Sequence, residues 1–346
     1  MSIICTAYNH ERYIEQAIKG FLMQETSFAF EILINDDAST DDTPSIIKYY
    51  ENQYSNIFAT YQSVNQYSLG KSVSNELFRR ARGEYIAICE GDDFWIDKLK
   101  LQKQFDFMEA NPEYSLCVHA GLCCYEDGVL MKNGFIPYQQ DKSVKTEEII
   151  ERWLFPTASL FYRKSSRKDI IIPFKGKAPC GDYPLTVYLA LQGKVYYFAS
   201  PMCVYRRDSI SSLSRYFKTS KEKDINRIDR LQELAGRIND FTGYKYDEVI
   251  KKFMVNNEYS KLMLERNINA VRVSKLYRYL SKKMKLKIFC AIYFPFILSI
   301  KETYHKVRDN CEYKKMKKKM LKLVDCENCK YCNLKFLQPS HVYLKK

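Results

Sequence analysis

Three features of the sequence predict an α/β protein, with a mostly parallel sheet flanked by helices and a basic helical C-terminal extension. Short apolar runs alternate with helix-periodic stretches over the first 216 residues. Polar clusters follow directly on three of those runs. Charge then divides the chain: of 346 residues with a net charge of +14, residues 217–346 carry +17 and residues 1–216 carry −3. Strands that alternate with helices imply a parallel sheet buried on both faces, which suits such apolar runs.

The first run, Ser2–Thr6, is followed by a stretch whose apolar residues fall at Tyr13, Ile14, Ala17, Ile18, Phe21 and Leu22. That spacing marks one face of a helix. Glu31–Asn35 reads as the second strand. The chain turns through Asp36–Asp42 and enters a helix at Thr43-Pro44, where proline suits the first helical position. Ile57–Gln62 is a third strand, and a helix over about Lys71–Ala81 closes at Gly83. Glu84–Cys89 is a fourth, running straight into Glu90-Gly91-Asp92-Asp93. Ligands of such sheets sit at the carboxyl ends of the strands. The clusters Thr6–Asn9, Asn35–Thr40 and Glu90–Asp93 all fall there.

Composition excludes several classes. A chain that is 46% hydrophobic and 14% aromatic is not disordered. No apolar run reaches the ~18 residues of a membrane-spanning helix. The opening strand carries no secretory features, and the twelve cysteines read as free cytosolic thiols. The expectation is a cytoplasmic protein of two parts, residues 1–216 and the basic helical residues 217–346.

Adjacent carboxylates after a strand suit a hard divalent cation, because Mg²⁺ and Mn²⁺ take one or two carboxylates plus substrate phosphate oxygens. The structural reading of Asp92-Asp93 is an N-cap for a helix starting near Trp95. Asp36–Asp42 is equally ambiguous, since Asp and Ser are common in turns. Carboxylates converging at one sheet edge with no cation or basic ligand would repel one another.

The ordered segments TAYNHERYIEQAIKGFLMQ, EILINDDASTDDT, SNELFRRARGEYIAICEGDDFW and CGDYPL resemble those of family 2 glycosyltransferases of the GT-A fold. The likeness covers roughly residues 1–210. It implies an inverting transferase that uses a nucleotide-diphosphate sugar, UDP-linked by expectation, and a divalent metal, Mn²⁺ or Mg²⁺. By the same resemblance Thr6 and Tyr8 lie beside the nucleotide and Asp37 faces the pyrimidine N3–H. Asp92 and Asp93 stand for the family's Asp-x-Asp element, with Asp93 the direct metal ligand, and Asp182 matches the general base. Asn75 matches a recurrent asparagine of open role. The acceptor would be a hydroxyl of a glycan or lipid-linked oligosaccharide in cell-surface polysaccharide synthesis.

These roles are chemically coherent. A nucleoside diphosphate leaves with two phosphate charges, which a Lewis acid stabilises, and the acceptor hydroxyl needs a carboxylate to take its proton. Taken alone, Asp182 at a helix start also reads as a cap. Lys71 could neutralise diphosphate or stay solvated. In Val204–Ser212 the family's histidine is absent, so Arg206 or Arg207 would serve the diphosphate. His119 could line the acceptor pocket or be structural, and Trp95 could floor the sugar site or pack.

The extension carries Ile288–Ile300, flanked by Lys282, Lys283, Lys285, Lys287 and the run at 314–319. An apolar segment too short to span, bordered by lysines, suits an anionic membrane surface. No recognition module accompanies the charge to suggest nucleic acid. Cys326, Cys329 and Cys332, with Cys311 and His341, could bind zinc or remain free thiols. The alternative to an enzyme is a nucleotide-sugar-binding or assembly protein that has kept the fold and lost catalysis. A nucleotidyltransferase would want a glycine-rich phosphate loop after the first strand, and TAYNHERY contains no glycine.

Overall fold

A computed structural model describes residues 1–265 apart from 170, 208, 210 and 211, together with 277, 280, 282, 285, 286, 288 and 289. The segment 290–300, the lysine run at 314–319, Cys311, Cys326, Cys329, Cys332 and His341 lie outside the described residues. Among the described residues, no helix is long and apolar enough to cross a membrane. The chain divides into two compact units. The described part of the first is Met1–Lys175 with Cys180–Tyr216; the second comprises Gly176–Pro179 and the described residues from Phe217 onward.

The first unit opens with β1 (Ser2–Ala7), α1 (Ile14–Leu22), β2 (Glu31–Asp36), α2 (Thr43–Gln53), β3 (Ile57–Tyr61), α3 (Val73–Arg80) and β4 (Tyr85–Ile88). These elements fall where apolar periodicity places them: the runs of β1, β2 and β4 are buried by their neighbours, while β3, at the end of the sheet, buries only Ile57. β2 is buried along its whole length, and α1 turns Ile14, Ala17, Ile18 and Phe21 inward. There follow β5 (Phe94–Trp95), α4 (Lys100–Ala110), β6 (Tyr114–Cys124), β7 (Lys142–Val144), α5 (Thr146–Glu151), β8 (Phe161–Arg163), α6 (Asp182–Ala190), β9 (Lys194–Arg206) and α7 (Leu213–Lys218).

The strands form one sheet in the order β3-β2-β1-β4-β8-β6-β9-β5, with β7 also paired to β9. β3, β2, β1 and β4 are parallel, as is the long β6–β9 pair; β8, β5 and β7 run antiparallel to their partners. No helix begins at Trp95. Phe94 and Trp95 pair instead with Val204 and Cys203 of β9, so the N-cap reading of Asp92-Asp93 fails.

Trp95 packs rather than floors a site. It is 2% exposed, meets Phe21 edge-on, and donates from Nε1 to the Ala158 carbonyl at 2.9 Å. His119 is likewise fully buried, with Nδ1 2.7 Å from the Ala120 carbonyl oxygen. Burial pushes its pKa well below the ordinary range, with the nearby Lys100 charge acting in the same direction. It is a core residue and does not line an acceptor pocket.

From Ser220 to Leu264 the second unit consists of two helices and the turn between them. Ser220 caps α8 (Lys221–Phe241), its Oγ accepting from the Lys223 N–H at 3.2 Å. A turn with Gly243 and Tyr244 in the left-handed region leads to α9 (Asp247–Leu264). α8 buries Ile228, Leu231, Leu234 and Ile238, and Lys261 of α9 pairs with Asp229 at 2.6 Å.

Candidate active site at the carboxyl ends of β1, β2 and β4

The three polar clusters meet because β2, β1 and β4 are neighbours in the sheet. The Asp37 N–H donates to the Ala7 carbonyl and the Gly91 N–H to the Thr6 carbonyl, each at 2.9 Å. Behind them, the loop after β1 and the loop after β2 exchange hydrogen bonds. Asn9 N–H donates to Ser39 Oγ, Thr40 N–H to Asn9 Oδ1, Glu11 N–H to Asp41 and Asp42 N–H to Glu11. Ser39 through Asp42 are therefore turn-builders, the structural role the composition of that stretch suggests. Asn9 and Ala38 both hold positive φ, a conformation asparagine tolerates better than alanine.

Asp37 is buried, and its carboxylate accepts two backbone N–H bonds, from Gln66 at 2.7 Å and Tyr67 at 3.0 Å. It thereby fixes the segment after β3, on which Lys71 sits exposed. Tyr8 is exposed on β1's outgoing loop, and Thr6 is half-buried at the end of β1.

Four carboxylates form the other half of the site. Gly91 lets them approach the loop after β1: a Cβ there would lie 2.8 Å from His10 Nδ1 and 2.9 Å from Ile14 Cδ1. Asp92 Oδ2 accepts from Ser209 Oγ at 2.7 Å and lies 4.0 Å from His10 Nε2. Asp93 is 1% exposed; its Oδ1 accepts from the Arg206 N–H at 2.8 Å, while its Oδ2 is buried with no partner among the described residues. Burial pushes the Asp93 pKa well above the carboxylate range, and repulsion from Asp92 and Glu90 adds to this, opposed by Arg206. Glu90 is pushed up to about 8 by burial, then by the charges of Asp92 and Asp182.

Asp182 opens α6, far along the chain, yet stands near enough to Glu90 to raise its pKa. Its Oδ2 accepts from Thr157 Oγ1 at 3.2 Å. Burial raises its pKa to about 6, against hydrogen bonds from the Tyr183 N–H, its own N–H, Thr157 and the Cys180 thiol. An ionisable carboxylate held near neutrality at a helix start can accept a proton.

Arg206 does not face outward toward a diphosphate. It is 4% exposed, lies over the rings of Tyr13 and Phe94, and donates to main-chain carbonyls and Gln16. Asn75 Oδ1 accepts from Arg167, which packs on Phe78, so that asparagine is held on the flank of α3. Sequence reasoning missed His10, Thr157 and Ser209 and gave Glu90 no separate role. Only Glu90, inside Glu-Gly-Asp-Asp, carried a local signal.

Among the described residues, no three His, Cys, Asp or Glu side chains converge closely enough to enclose a metal ion. The arrangement still fits Mg²⁺ or Mn²⁺, which need one or two protein carboxylates and otherwise water and phosphate oxygens. The unpartnered, buried Asp93 Oδ2 is the kind of orphaned oxygen such an ion satisfies.

An uncharacterized protein of Mycobacterium tuberculosis (strain ATCC 25618 / H37Rv) is 36% identical over 212 residues, 60% of this chain and 58% of that protein's length. The chain thus spans less than two thirds of that relative. By structure, S. aureus TarS 1-349 in complex with UDP-GlcNAc aligns with a TM-score of 0.58 at 18% identity, over 80% of this chain and 76% of that one. The mannosyltransferase PcManGT from Pyrobaculum calidifontis, in complex with GDP-Man and Mn²⁺, aligns with a TM-score of 0.52 at 14% identity, over 90% and 86%. At these identities the two structures establish the shared fold. Residues 2–170 match the sequence model for glycosyl transferase family 2, and this N-terminal half of the chain belongs to that family.

Proposed function

We propose that the chain is an inverting, metal-dependent glycosyltransferase. It moves a sugar from a nucleotide-diphosphate sugar, UDP-linked by preference, to a hydroxyl of a glycan or lipid-linked acceptor in surface polysaccharide synthesis. The observation that carries this reading is the convergence of Asp182 on the Glu90–Asp92–Asp93 cluster at the carboxyl ends of β1 and β4. The bound UDP-GlcNAc of TarS and the bound GDP-Man and Mn²⁺ of PcManGT support the donor and metal classes.

In this reading Thr6, Tyr8 and Asp37 border the nucleotide, and Asp37 does so while holding the Gln66–Tyr67 backbone in place. Asp93, with Asp92 beside it, would hold the divalent cation through its free oxygen. That ion supplies charge stabilisation to the departing nucleoside diphosphate. Asp182 takes the acceptor hydroxyl proton as the new C1–O bond forms and the bond from C1 to the diphosphate oxygen breaks. Thr157 holds Asp182 Oδ2, which fixes the orientation of the carboxylate at the start of α6. Lys71, exposed on the loop that Asp37 anchors, is assigned to the phosphates.

The test is to incubate the protein with UDP- and GDP-linked sugars and Mn²⁺ and follow release of free sugar, which needs no acceptor. Slow hydrolysis of one donor is expected. Donor binding with no turnover under any acceptor would favour a binding protein, and no binding at all would end the proposal. Contact of the basic extension with an anionic membrane surface belongs to the same reading. Flotation with phosphatidylglycerol vesicles should weaken as salt rises and disappear on truncation after Leu280. Equal flotation of the truncated chain would remove it.

A further inference from the structure

We propose that Arg206 and Ser209, at the end of β9, are positioning residues that pin the Asp92-Asp93 pair in the geometry that receives a divalent cation. The proposal rests on the functional reading above. Arg206 is a buried cation that, among the described residues, has no carboxylate in ion-pair range of its guanidinium; it is spent on geometry. Nε donates to the Asp92 carbonyl at 3.1 Å, Nη2 to Gln16 Oε1 at 2.8 Å, and Nη1 to the Tyr125 and Glu126 carbonyls at 3.5 and 3.3 Å. The guanidinium lies 4.6 Å from the Tyr13 ring centroid and 5.6 Å from that of Phe94. It therefore ties together α1, the end of β6, and the turn that carries the carboxylates.

The same short segment grips each carboxylate once. The Arg206 N–H takes Asp93 Oδ1 and the Ser209 hydroxyl takes Asp92 Oδ2, both buried. Each acid is held and oriented through one oxygen, as metal ligands generally are by their hydrogen-bonded partners. Burying an arginine without a carboxylate partner is costly unless its donors are satisfied, and only a planar fork reaches acceptors in this many directions. Lysine keeps the charge but cannot reproduce the fork.

The experiment measures Mn²⁺ affinity in the presence of UDP, by electron paramagnetic resonance of free Mn²⁺, for the full chain and for Arg206→Lys and Ser209→Ala. Uridine binding without metal is measured in parallel. Ser209→Ala should lower Mn²⁺ affinity by about 10–100-fold, the usual effect of removing such a partner, and Arg206→Lys should lower it through loss of the fork that holds the Asp92 carbonyl, its main-chain N–H to Asp93 being retained. Uridine affinity should hold, because the base-side contacts come from the ends of β1 and β2. Unchanged Mn²⁺ affinity in both variants overturns the proposal, as does a parallel fall in uridine affinity, which would mark general loss of structure. If Arg206→Lys does not fold, Ser209→Ala, which deletes one hydroxyl, decides alone. A wild-type chain whose UDP binding ignores Mn²⁺ would instead overturn the functional reading itself.

Discussion

Asp182→Asn is expected to lower sugar transfer by roughly 10²–10⁴-fold while leaving donor and metal affinity nearly unchanged. Asparagine keeps the size of the side chain and can still accept from Thr157 Oγ1, so the start of α6 should stay in place. What it lacks is a basic oxygen for the acceptor proton. The pH profile adds a second signature. Burial raises the Asp182 pKa to about 6, with Glu90 and the Cys180 thiol as its titratable neighbours. The carboxylate is the active form, so wild-type kcat/KM should fall tenfold per unit as pH drops below about 6, and Asp182→Asn should show no such limb. Direct in-line attack further requires an α-linked donor to give a β-linked product, readable by NMR. Full transfer by the variant would place the base elsewhere, and retention of configuration would reject the inverting mechanism.

Asp93→Ala should abolish the Mn²⁺-dependent part of UDP binding, a loss of roughly 100-fold or more in affinity, equivalent to about 3 kcal/mol. The argument is local. Asp93 presents a buried oxygen with no partner among the described residues, and the diphosphate would bring further negative charge to a cluster already crowded with Glu90 and Asp92. Without the cation held at that oxygen, those charges face one another uncompensated. Calorimetric titration of UDP with and without Mn²⁺ checks this, with uridine as the control for the base-side contacts. Equal affinity of variant and wild type would remove Asp93 from the metal's ligands.

The two predictions draw on residues of very different legibility. β1, β2 and β4 were readable because their Ile and Leu runs have nowhere to go but inward, and β3 because Ile57 anchors it at the end of the same sheet. The acidic pair was visible as Gly-Asp-Asp after a strand, and Asp182 only through its resemblance. Ser209 and Thr157 were not readable, since a lone hydroxyl has meaning only once folding brings it to a carboxylate from another element. Arg206 was visible as a charge and misread in direction, because sequence does not show that Tyr13 and Phe94 would enclose it. β5, β7 and β8 are two or three residues long and owe their existence to the strands beside them.

The pairing of β6 with β9 has a consequence for biosynthesis. β6 is buried over all of Tyr114–Cys124, yet its parallel partner begins only at Lys194. On a ribosome, where the N-terminal portion emerges first, β1 to β4 can assemble while β6 still offers a bare edge, and long-range parallel pairing is slow to close. A fragment ending at residue 170 would be caught permanently at that stage, with an aggregation-prone strand and without Asp182 or Arg206. The smallest piece worth expressing on its own therefore extends at least through Ser209, well beyond the stretch in which family likeness is concentrated.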